Sequence, residues 1–404
     1  MAYLGYERKR KLQIYLLATL IILCCVMLVA CNSDNSYSVE GDVISPPTHF
    51  MAKFMLAIGN SMGGSSVSFG WVVVVFTVIL RLILSPLDIW QKLIARKNSK
   101  AMERMKPQLE ALQAKYGDDK QRMQQEQMAL YKKEKYSMMG MCLPTIITLV
   151  VFFIVFAGFR QMVGFQFAND YKQCQDVYYQ TLSEQIETKY GDRNEDGVID
   201  KYDIVLDEEG TAFYEEAVDA AQTAVYEAYH SKEQQTSRSW LWIKNIFVGD
   251  NWAKAVPDFA TVTGQSGFAN SRLTGITSSE YNSVMGKVIG TGGYGKGGSW
   301  NGLLILPVLS IVLSFLSQKI MSKSQGQPPA TGDSAVASQQ SMKVMQWMMP
   351  IMMGVFGLLY SGAFALYMFT SSLTAILFQL TFTLIAKIVD GARAGKSKPN
   401  VAKR

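Results

Sequence analysis

The chain has 404 residues, 49% of them hydrophobic, and a formal net charge of +6. Its two histidines, His49 and His230, are isolated, and no metal cluster or nucleophile–base pair can be assembled from them. Of the five cysteines only Cys31 and Cys174 lie outside apolar stretches, which excludes a disulfide framework. The averages conceal a strong segregation, because long apolar blocks alternate with very polar ones.

Five apolar blocks divide the chain. With their flanks, each reaches or approaches the ~20 residues that a helix needs to cross ~30 Å of hydrocarbon. Several contain Gly, Pro or Ser, which membrane helices tolerate when neighbouring groups satisfy the freed backbone. The sequence therefore predicts an all-α polytopic membrane protein with a five-helix transmembrane core. The blocks are Trp71–Leu80, Ile146–Phe156, Leu303–Leu316, Met348–Met368 and Leu373–Ile388.

Charge is distributed unevenly between the polar blocks, and this predicts an orientation. The stretch 91–137 is basic, 164–299 is acidic and the tail after Asp390 is basic, which agrees with one topology because basic segments stay in the cytoplasm. A very short turn near Phe369-Thr370 is expected between the last two spans. The predicted parts are an external segment at 32–68, transmembrane spans at 69–90, 138–162, 300–320, 344–367 and 371–389, a cytoplasmic helical hairpin at 91–137, an extracellular insertion at 163–299, a cytoplasmic linker at 321–343 and a basic cytoplasmic tail at 390–404.

The first 31 residues have the pattern of a secretion signal. A basic stretch ending at Lys11 precedes an apolar run from Leu12 to Ala30, as in the charged and hydrophobic regions of a signal peptide. The run ends in Leu28-Val-Ala-Cys31, which resembles a bacterial lipobox, so Cys31 is the expected lipidation site. The alternative is an uncleaved signal anchor, since the run is long enough to span a membrane.

Arg81 lies inside the first predicted span, where a charge costs from roughly 3 to over 10 kcal/mol. The other apolar cores hold no Asp, Glu or His to pair with it, so we expect Arg81 to face a water-filled pocket lined by hydroxyls and amides. The alternative is snorkelling towards the cytoplasm, because Ser85-Pro86 lies only about one turn away. The candidate lining residues are Thr145, Thr148, Ser310, Ser314, Tyr360, Tyr367 and Gln379.

Residues 192–203 of the insertion fit a calcium-binding loop. Oxygen-bearing side chains fall at its positions 1, 3, 5 and 9, and Gly197 takes the sixth position, where such loops turn sharply. The last position is Asp203 rather than the Glu of the standard EF-hand pattern. We expect a weak structural calcium site; a solvated acidic turn is the alternative. The candidate ligands are Asp192, Asn194, Asp196, Val198, Asp200 and Asp203.

Several motifs are similar to those of the YidC family of membrane insertases. They follow the family's order through the membrane helices and the hairpin, and their order and spacing are more specific than any single motif. The long acidic insertion shows no family pattern. The motifs are Val78-Ile-Leu-Arg81-Leu-Ile-Leu-Ser-Pro86-Leu, Lys106-Pro-Gln-Leu, Tyr116-Gly-Asp-Asp-Lys-Gln-Arg, Gly140-Met-Cys142-Leu-Pro144, Met348-Met-Pro350-Ile-Met-Met-Gly and Ser361-Gly-Ala-Phe-Ala-Leu-Tyr367-Met-Phe-Thr-Ser-Ser-Leu.

The resemblance implies a membrane protein insertase and chaperone of the bacterial plasma membrane. Its five core helices would enclose a hydrophilic groove with Arg81 as the groove cation, open to lipid and cytoplasm. Nascent membrane proteins would be the substrates, the Sec translocon and the ribosome are candidate partners, and no DNA is expected. The mechanism needs no covalent chemistry, so neither an enzyme nor a required cofactor is predicted. The basic tail would contact ribosomal RNA or anionic lipid.

The sequence also allows two other classes of function. A small-solute channel or transporter would also need a polar residue in the bilayer, but such proteins commonly show repeated halves and this chain has no visible repeat. A membrane-anchored binding protein whose external region does the work would not need Arg81.

Overall fold

The computed structural model describes residues 36–41, 43–116, 119–134, 136, 138–190, 208–252, 254–264, 272–290, 300–325, 351 and 354–396. The signal segment with Cys31, the acidic loop 192–203 and the end of the basic tail lie outside these residues. So do residues 326–343 of the linker and the start of the fourth predicted span. Lipidation and calcium binding therefore stay predictions from the sequence.

Helices make up most of the described chain, which confirms the all-α polytopic membrane fold. Three helical stretches, Phe69–Tyr116, Val150–Tyr190 and Gly362–Ala386, are long and apolar enough to cross a membrane, and Ile305–Ile320 is a shorter apolar helix. Two short strands pair in parallel. The helices are α1 (Phe50–Met62), α2 (Phe69–Tyr116), α3 (Lys120–Lys133), α4 (Met138–Tyr190), α5 (Glu208–Tyr229), α6 (Lys232–Arg238), α7 (Phe259–Val262), α8 (Ser278–Gly290), α9 (Ile305–Gln325) and α10 (Gly362–Lys396), and the strands are β1 (Ser36–Ser38) and β2 (Arg272–Thr274).

Helix α2 joins the first predicted span to the hairpin without a break. Its 48 residues correspond to about 72 Å, more than twice the thickness of the hydrocarbon core. Pro86 and Pro107 both lie inside it, and beside Pro86 the Ser85 hydroxyl donates to the carbonyl of Leu82 at 2.7 Å. The predicted boundary at residues 90 and 91 is therefore a change of polarity and not of backbone conformation.

The hairpin consists of the second half of α2 and helix α3. Asp119 caps α3, since its carboxylate accepts the backbone N–H of Arg122 at 3.0 Å, as Asp does at helix N-termini. The two helices enclose a small apolar core, and Arg104 pairs with Glu134 across them at 3.3 Å. The core residues are Ala101, Met102, Met105, Leu109 and Leu130.

Helix α4 continues well past residue 162, where the sequence suggested the end of the second span. It runs to Tyr190, so the first part of the acidic insertion is a direct extension of the membrane helix. The residues beyond the apolar block include no proline or internal glycine after Gly164 to stop the helix. The hydropathy change marks where hydrocarbon ends, and the helix does not end with it.

Helix α9 begins at Ile305, later than the predicted start at residue 300. The preceding residues are held by the loop before them: Trp300 forms a backbone bridge with Lys254, and the Asn301 amide donates to the carbonyl of Gly249 at 2.7 Å. Leu304 has a φ of 61°, which a helix cannot accommodate. These contacts keep residues 300–304 outside the helix, which therefore begins five residues later than predicted.

The predicted turn at Phe369-Thr370 is wrong, because α10 runs unbroken from Gly362 to Lys396. At this position the helix is continuous, and the Thr374 hydroxyl donates to the carbonyl of Thr370 at 2.7 Å. The break lies at Tyr360 and Ser361. There the first N–H groups of α10 find carbonyl partners in a distant loop, Gly362 to Val248 at 2.8 Å and Ala363 to Ile246 at 2.7 Å.

The chain forms two compact units. Unit one comprises Met1–Val73, Val150–Ile305 and Gly357–Ala365, and unit two comprises Val74–Leu149, Leu306–Phe356 and Leu366–Arg404. In unit one α5 packs along α8, and a buried ion pair ties α6 to α4: Nη1 of Arg238 lies 3.4 Å from Oδ2 of Asp170. Gln166 also donates to Asp170 at 2.9 Å, and the Arg238 guanidinium stacks 3.7 Å from the Tyr229 ring centre.

Replacing Arg238 with Ala is expected to lower the free energy of unfolding by about 3–5 kcal/mol, because it leaves the Asp170 carboxylate buried without its cation. Thermal unfolding of the full chain in detergent micelles measures this. Lys287→Ala is the matched control: its ion pair with Asp219 is exposed, and its loss is expected to cost less than about 1 kcal/mol. Equal shifts for both variants would contradict a dominant role for the buried pair.

Candidate functional site

Arg81 lies on α2 in unit two, and its guanidinium is held by a serine of α10. Its Nε donates to Oγ of Ser371 at 3.0 Å, and Nη2 donates to the same oxygen. The side chain is only 20% exposed. A hydroxyl partner agrees with the expectation from the sequence, but Ser371 was not among the predicted lining residues. Its position four residues after Tyr367, on the same helical face, is the signal that was missed.

Arg81 also has an acidic neighbour, which corrects the expectation of a cation without one. Its Nη1 lies 3.8 Å from Oδ2 of Asp88. The sequence search covered the other spans, whereas this carboxylate is on Arg81's own helix, seven residues later. Two turns of helix bring the pair to the same face. At an effective dielectric constant of ~20, two unit charges at this separation attract by about 4 kcal/mol before desolvation.

A second cation, Lys92, extends this face of α2. It follows Asp88 by four residues, interacts electrostatically with it, and lies 5.6 Å from the ring centre of Phe382 on α10. Arg81 and Lys92 are eleven residues apart, as are their α10 partners Ser371 and Phe382. Equal spacing in the same direction means that α2 and α10 run parallel. The result is a line of positive, negative and positive charge facing α10.

Three predicted lining residues on α9 and α10 supply further hydroxyl groups in unit two. Tyr367 is buried and interacts electrostatically with both Arg81 and Ser371. The Ser314 hydroxyl of α9 lies 3.1 Å from that of Ser372, the residue after Ser371. Ser310, one turn before Ser314, is also buried. Hydroxyl groups of α10 thus meet Arg81 directly, and α9 adds a hydroxyl contact to the neighbouring Ser372.

Other predicted lining residues lie elsewhere. Tyr360 belongs to unit one, where its ring meets that of Phe156 edge-on at 4.5 Å, so packing explains it. Thr148 is exposed. Gln379 is buried on α10, about 12 Å beyond Ser371 along the axis. The side chain of Thr145 lies outside the described part of the chain.

The surface around the site is apolar and outward-facing. On α2 the side chains of Leu82 and Ile83 are 56% and 63% exposed, and on α10 Leu384 is 62% exposed. Val312 of α9 is 54% exposed. Patches of this size on a water-soluble protein would aggregate, whereas lipid covers them at no cost. The half-buried charges of Arg81 and Asp88 therefore lie within a lipid-facing bundle.

These observations define the class of protein as a polytopic α-helical membrane protein with a charged polar site inside its helix bundle. The family model described as "60Kd inner membrane protein" matches residues 60–189 and 222–388, which is most of the chain, and the protein belongs to that family. Arg81, Asp88 and Ser371 all lie in the matched residues. The unmatched interval contains the acidic loop 192–203.

Individual relatives match over shorter stretches. A membrane protein insertase YidC of Stenotrophomonas maltophilia strain K279a is 40% identical over 110 residues, 27% of this chain and 19% of the relative. A protein of the same name from Xanthomonas campestris pv. campestris strain 8004 is 42% identical over 89 residues, 22% of this chain and 15% of the relative. The matched segments thus span less than a fifth of the length of these curated relatives.

Ser371→Ala removes the acceptor of two Arg81 donors. Because hydrogen bonds to charged groups contribute about 1.5–3 kcal/mol, we expect a measurable fall in the thermal stability of the full chain in lipid nanodiscs. Thr381→Ala is the control, since that exposed hydroxyl bonds only to the carbonyl of Leu377 in its own helix. If Arg81→Met restored the stability of Ser371→Ala, the loss would be traced to the unsatisfied guanidinium.

Proposed function

We propose that the protein is a membrane protein insertase, which inserts and folds nascent integral membrane proteins without chemical catalysis. The observation that carries this proposal is Arg81: a cation in an apolar membrane helix, held by the Ser371 hydroxyl and only loosely paired with Asp88. Membership of the family and the insertase relatives support it. An arginine that served only to join helices would gain more from a closely hydrogen-bonded carboxylate.

The task of an insertase is to move a short polar segment of its substrate across hydrocarbon. A polar site partway through the membrane shortens the dry path, and Arg81 attracts acidic residues in that segment. The attraction is stronger there than in water because the surroundings screen charge poorly. The apolar part of the substrate then leaves sideways into lipid past exposed residues such as Leu82 and Leu384.

The proposed orientation places the hairpin and the tail in the cytoplasm and the insertion outside. The basic charge of the hairpin supports this, as does the parallel course of α2 and α10, which two spans entering from the same side require. The proposed membrane is the plasma membrane of a bacterium, because the insertase relatives are bacterial. In this orientation residue numbers along α2 increase towards the cytoplasm, so Asp88 and Lys92 lie between Arg81 and the cytoplasmic opening.

The hairpin is the proposed receiving surface for substrates. Between α2 and α3 lies a cavity of about 440 Å³ with an apolar floor, which includes Leu112 and Leu130, and a charged rim with Lys115, Glu126 and Lys133. An apolar segment can rest on the floor while the rim meets its polar flanks. The Sec translocon and the ribosome are proposed partners, the ribosome through the basic tail, whose alternative partner is anionic lipid.

The test of insertion is complementation in bacterial cells depleted of their own insertase. Wild-type protein is expected to restore growth, and Arg81→Ala to lower insertion of substrates with acidic external segments by about tenfold or more, as expected for losing a charged hydrogen bond. Arg81→Lys should retain part of the activity because it keeps the charge. Arg160→Ala, which removes an arginine of unit one, is the control.

Failure of the wild-type chain to restore growth, when it is present in the membrane at normal level, would contradict the proposed function. Full activity of Arg81→Ala with acidic substrates would contradict the role of the arginine while leaving insertion itself in place.

Water access to the site is tested with single cysteines in a variant that lacks the five native ones. Cysteine in place of Arg81 is expected to react with a charged thiol reagent added from the cytoplasmic side of membrane vesicles. Cysteine in place of Ile83 should not react, although Ile83 is more exposed, because it faces lipid. Equal labelling of the two positions would show that the site is not a wet pocket.

A further inference from the structure

Asp88 is the feature of the site that attraction of acidic substrates does not explain, since it already offers Arg81 a negative charge at 3.8 Å. We propose that Asp88 is a specificity-determining residue: an internal counter-ion that occupies Arg81 between substrates and that an incoming carboxylate must displace. The inference rests on the proposed insertase function and deepens it, because Asp88 would set how acidic an external segment must be in order to hold Arg81.

The geometry allows this exchange without dismantling the site. Ser371 binds Arg81 through Nε and Nη2, whereas Asp88 meets the separate nitrogen Nη1. A substrate carboxylate can therefore take the place of Asp88 while Ser371 keeps the guanidinium in position. At 3.8 Å the pair is too long for a hydrogen bond, so a carboxylate that approaches to about 2.8 Å forms the stronger contact.

Lys92 remains as a cationic neighbour of Asp88 after a substrate carboxylate has displaced Asp88 from Arg81. It lies four residues further along the same helical face and already interacts with Asp88, while its ammonium rests over the ring of Phe382. Removing one partner of a half-buried ion pair usually leaves an uncompensated charge, which is costly. Here Asp88 has a cationic neighbour both before and after the exchange. Its displacement therefore costs little more than the loss of one loose contact.

Asp88 and the substrate compete for Arg81, and this competition sets a threshold for binding. A segment without carboxylates offers Arg81 nothing better than Asp88 and is held only by its apolar part. An acidic segment replaces the loose internal pair with a closer one. Asp88 thus lowers the affinity of the site for every anion and keeps Arg81 from holding weakly acidic segments, which would otherwise delay their release into lipid.

The test measures binding of two single-span probe peptides to the full chain in proteoliposomes. One peptide carries two Asp residues in its external segment and the other carries Asn in their place. The quantity of interest is the ratio of the dissociation constant of the Asn peptide to that of the Asp peptide. For Asp88→Asn we expect this ratio to rise about tenfold over wild type, mainly through tighter binding of the acidic peptide. Asp88→Glu should return the ratio to near wild type, and Asp219→Asn, an exposed carboxylate of unit one, should not change it.

The outcomes separate this inference from the proposed function. If Asp88→Asn leaves the ratio unchanged, or weakens the binding of both peptides equally, Asp88 does not control the preference for acidic segments and the inference fails. If Arg81→Ala brings the ratio to one in the same experiment, the proposed role of the arginine nevertheless stands. If Arg81→Ala leaves both the ratio and insertion intact, the proposed function fails as well. Comparison of the thermal unfolding of each variant with wild type separates selective effects from misfolding.

Discussion

The structure depends on one constraint: hydrocarbon offers no hydrogen bonds, so every charge and every free backbone group in the membrane needs a partner from the chain or from water in a polar site. Arg81 meets this constraint with the Ser371 hydroxyl and the Asp88 carboxylate. The bond to Ser371 joins α10 to α2, and the second contact, of Lys92 with the Phe382 ring, fixes the parallel course of the two helices. The charge that is most expensive to bury thereby determines the arrangement of the polar site.

The same constraint governs the ends of the helices. The first N–H groups of α10 reach the carbonyls of Ile246 and Val248, and the Asn301 amide secures the loop that carries them. Hydroxyl groups inside α10, such as that of Thr374, bond to carbonyls of their own helix and stay hidden from lipid. In α10, polar groups are thus accommodated at the helix end, in back-bonded positions and at the site.

The structure departs from the sequence-based predictions at two polar positions. The turn predicted near Phe369-Thr370 lies instead within α10, where the Thr370 carbonyl accepts from Thr374 and the Ser371 hydroxyl accepts from Arg81. Asp88 lies within the first predicted span itself, whereas the expectation from the sequence considered only acidic residues of the other spans. Its significance depends on the two side chains meeting at 3.8 Å across two turns of helix, and no periodicity specifies the rotamers that this contact needs.

The sequence by itself determined which segments are apolar enough to enter a membrane, that Arg81 lies within one of them, that a basic helical hairpin follows, and which family the motifs resemble. Each of these properties is local, arising from composition and spacing along a few turns of helix. Only the tertiary structure decided which groups Arg81 meets, because the hydrogen bond to Ser371 joins residues 290 positions apart. Contacts of that separation depend on how helices pack, and packing is a property of the whole bundle.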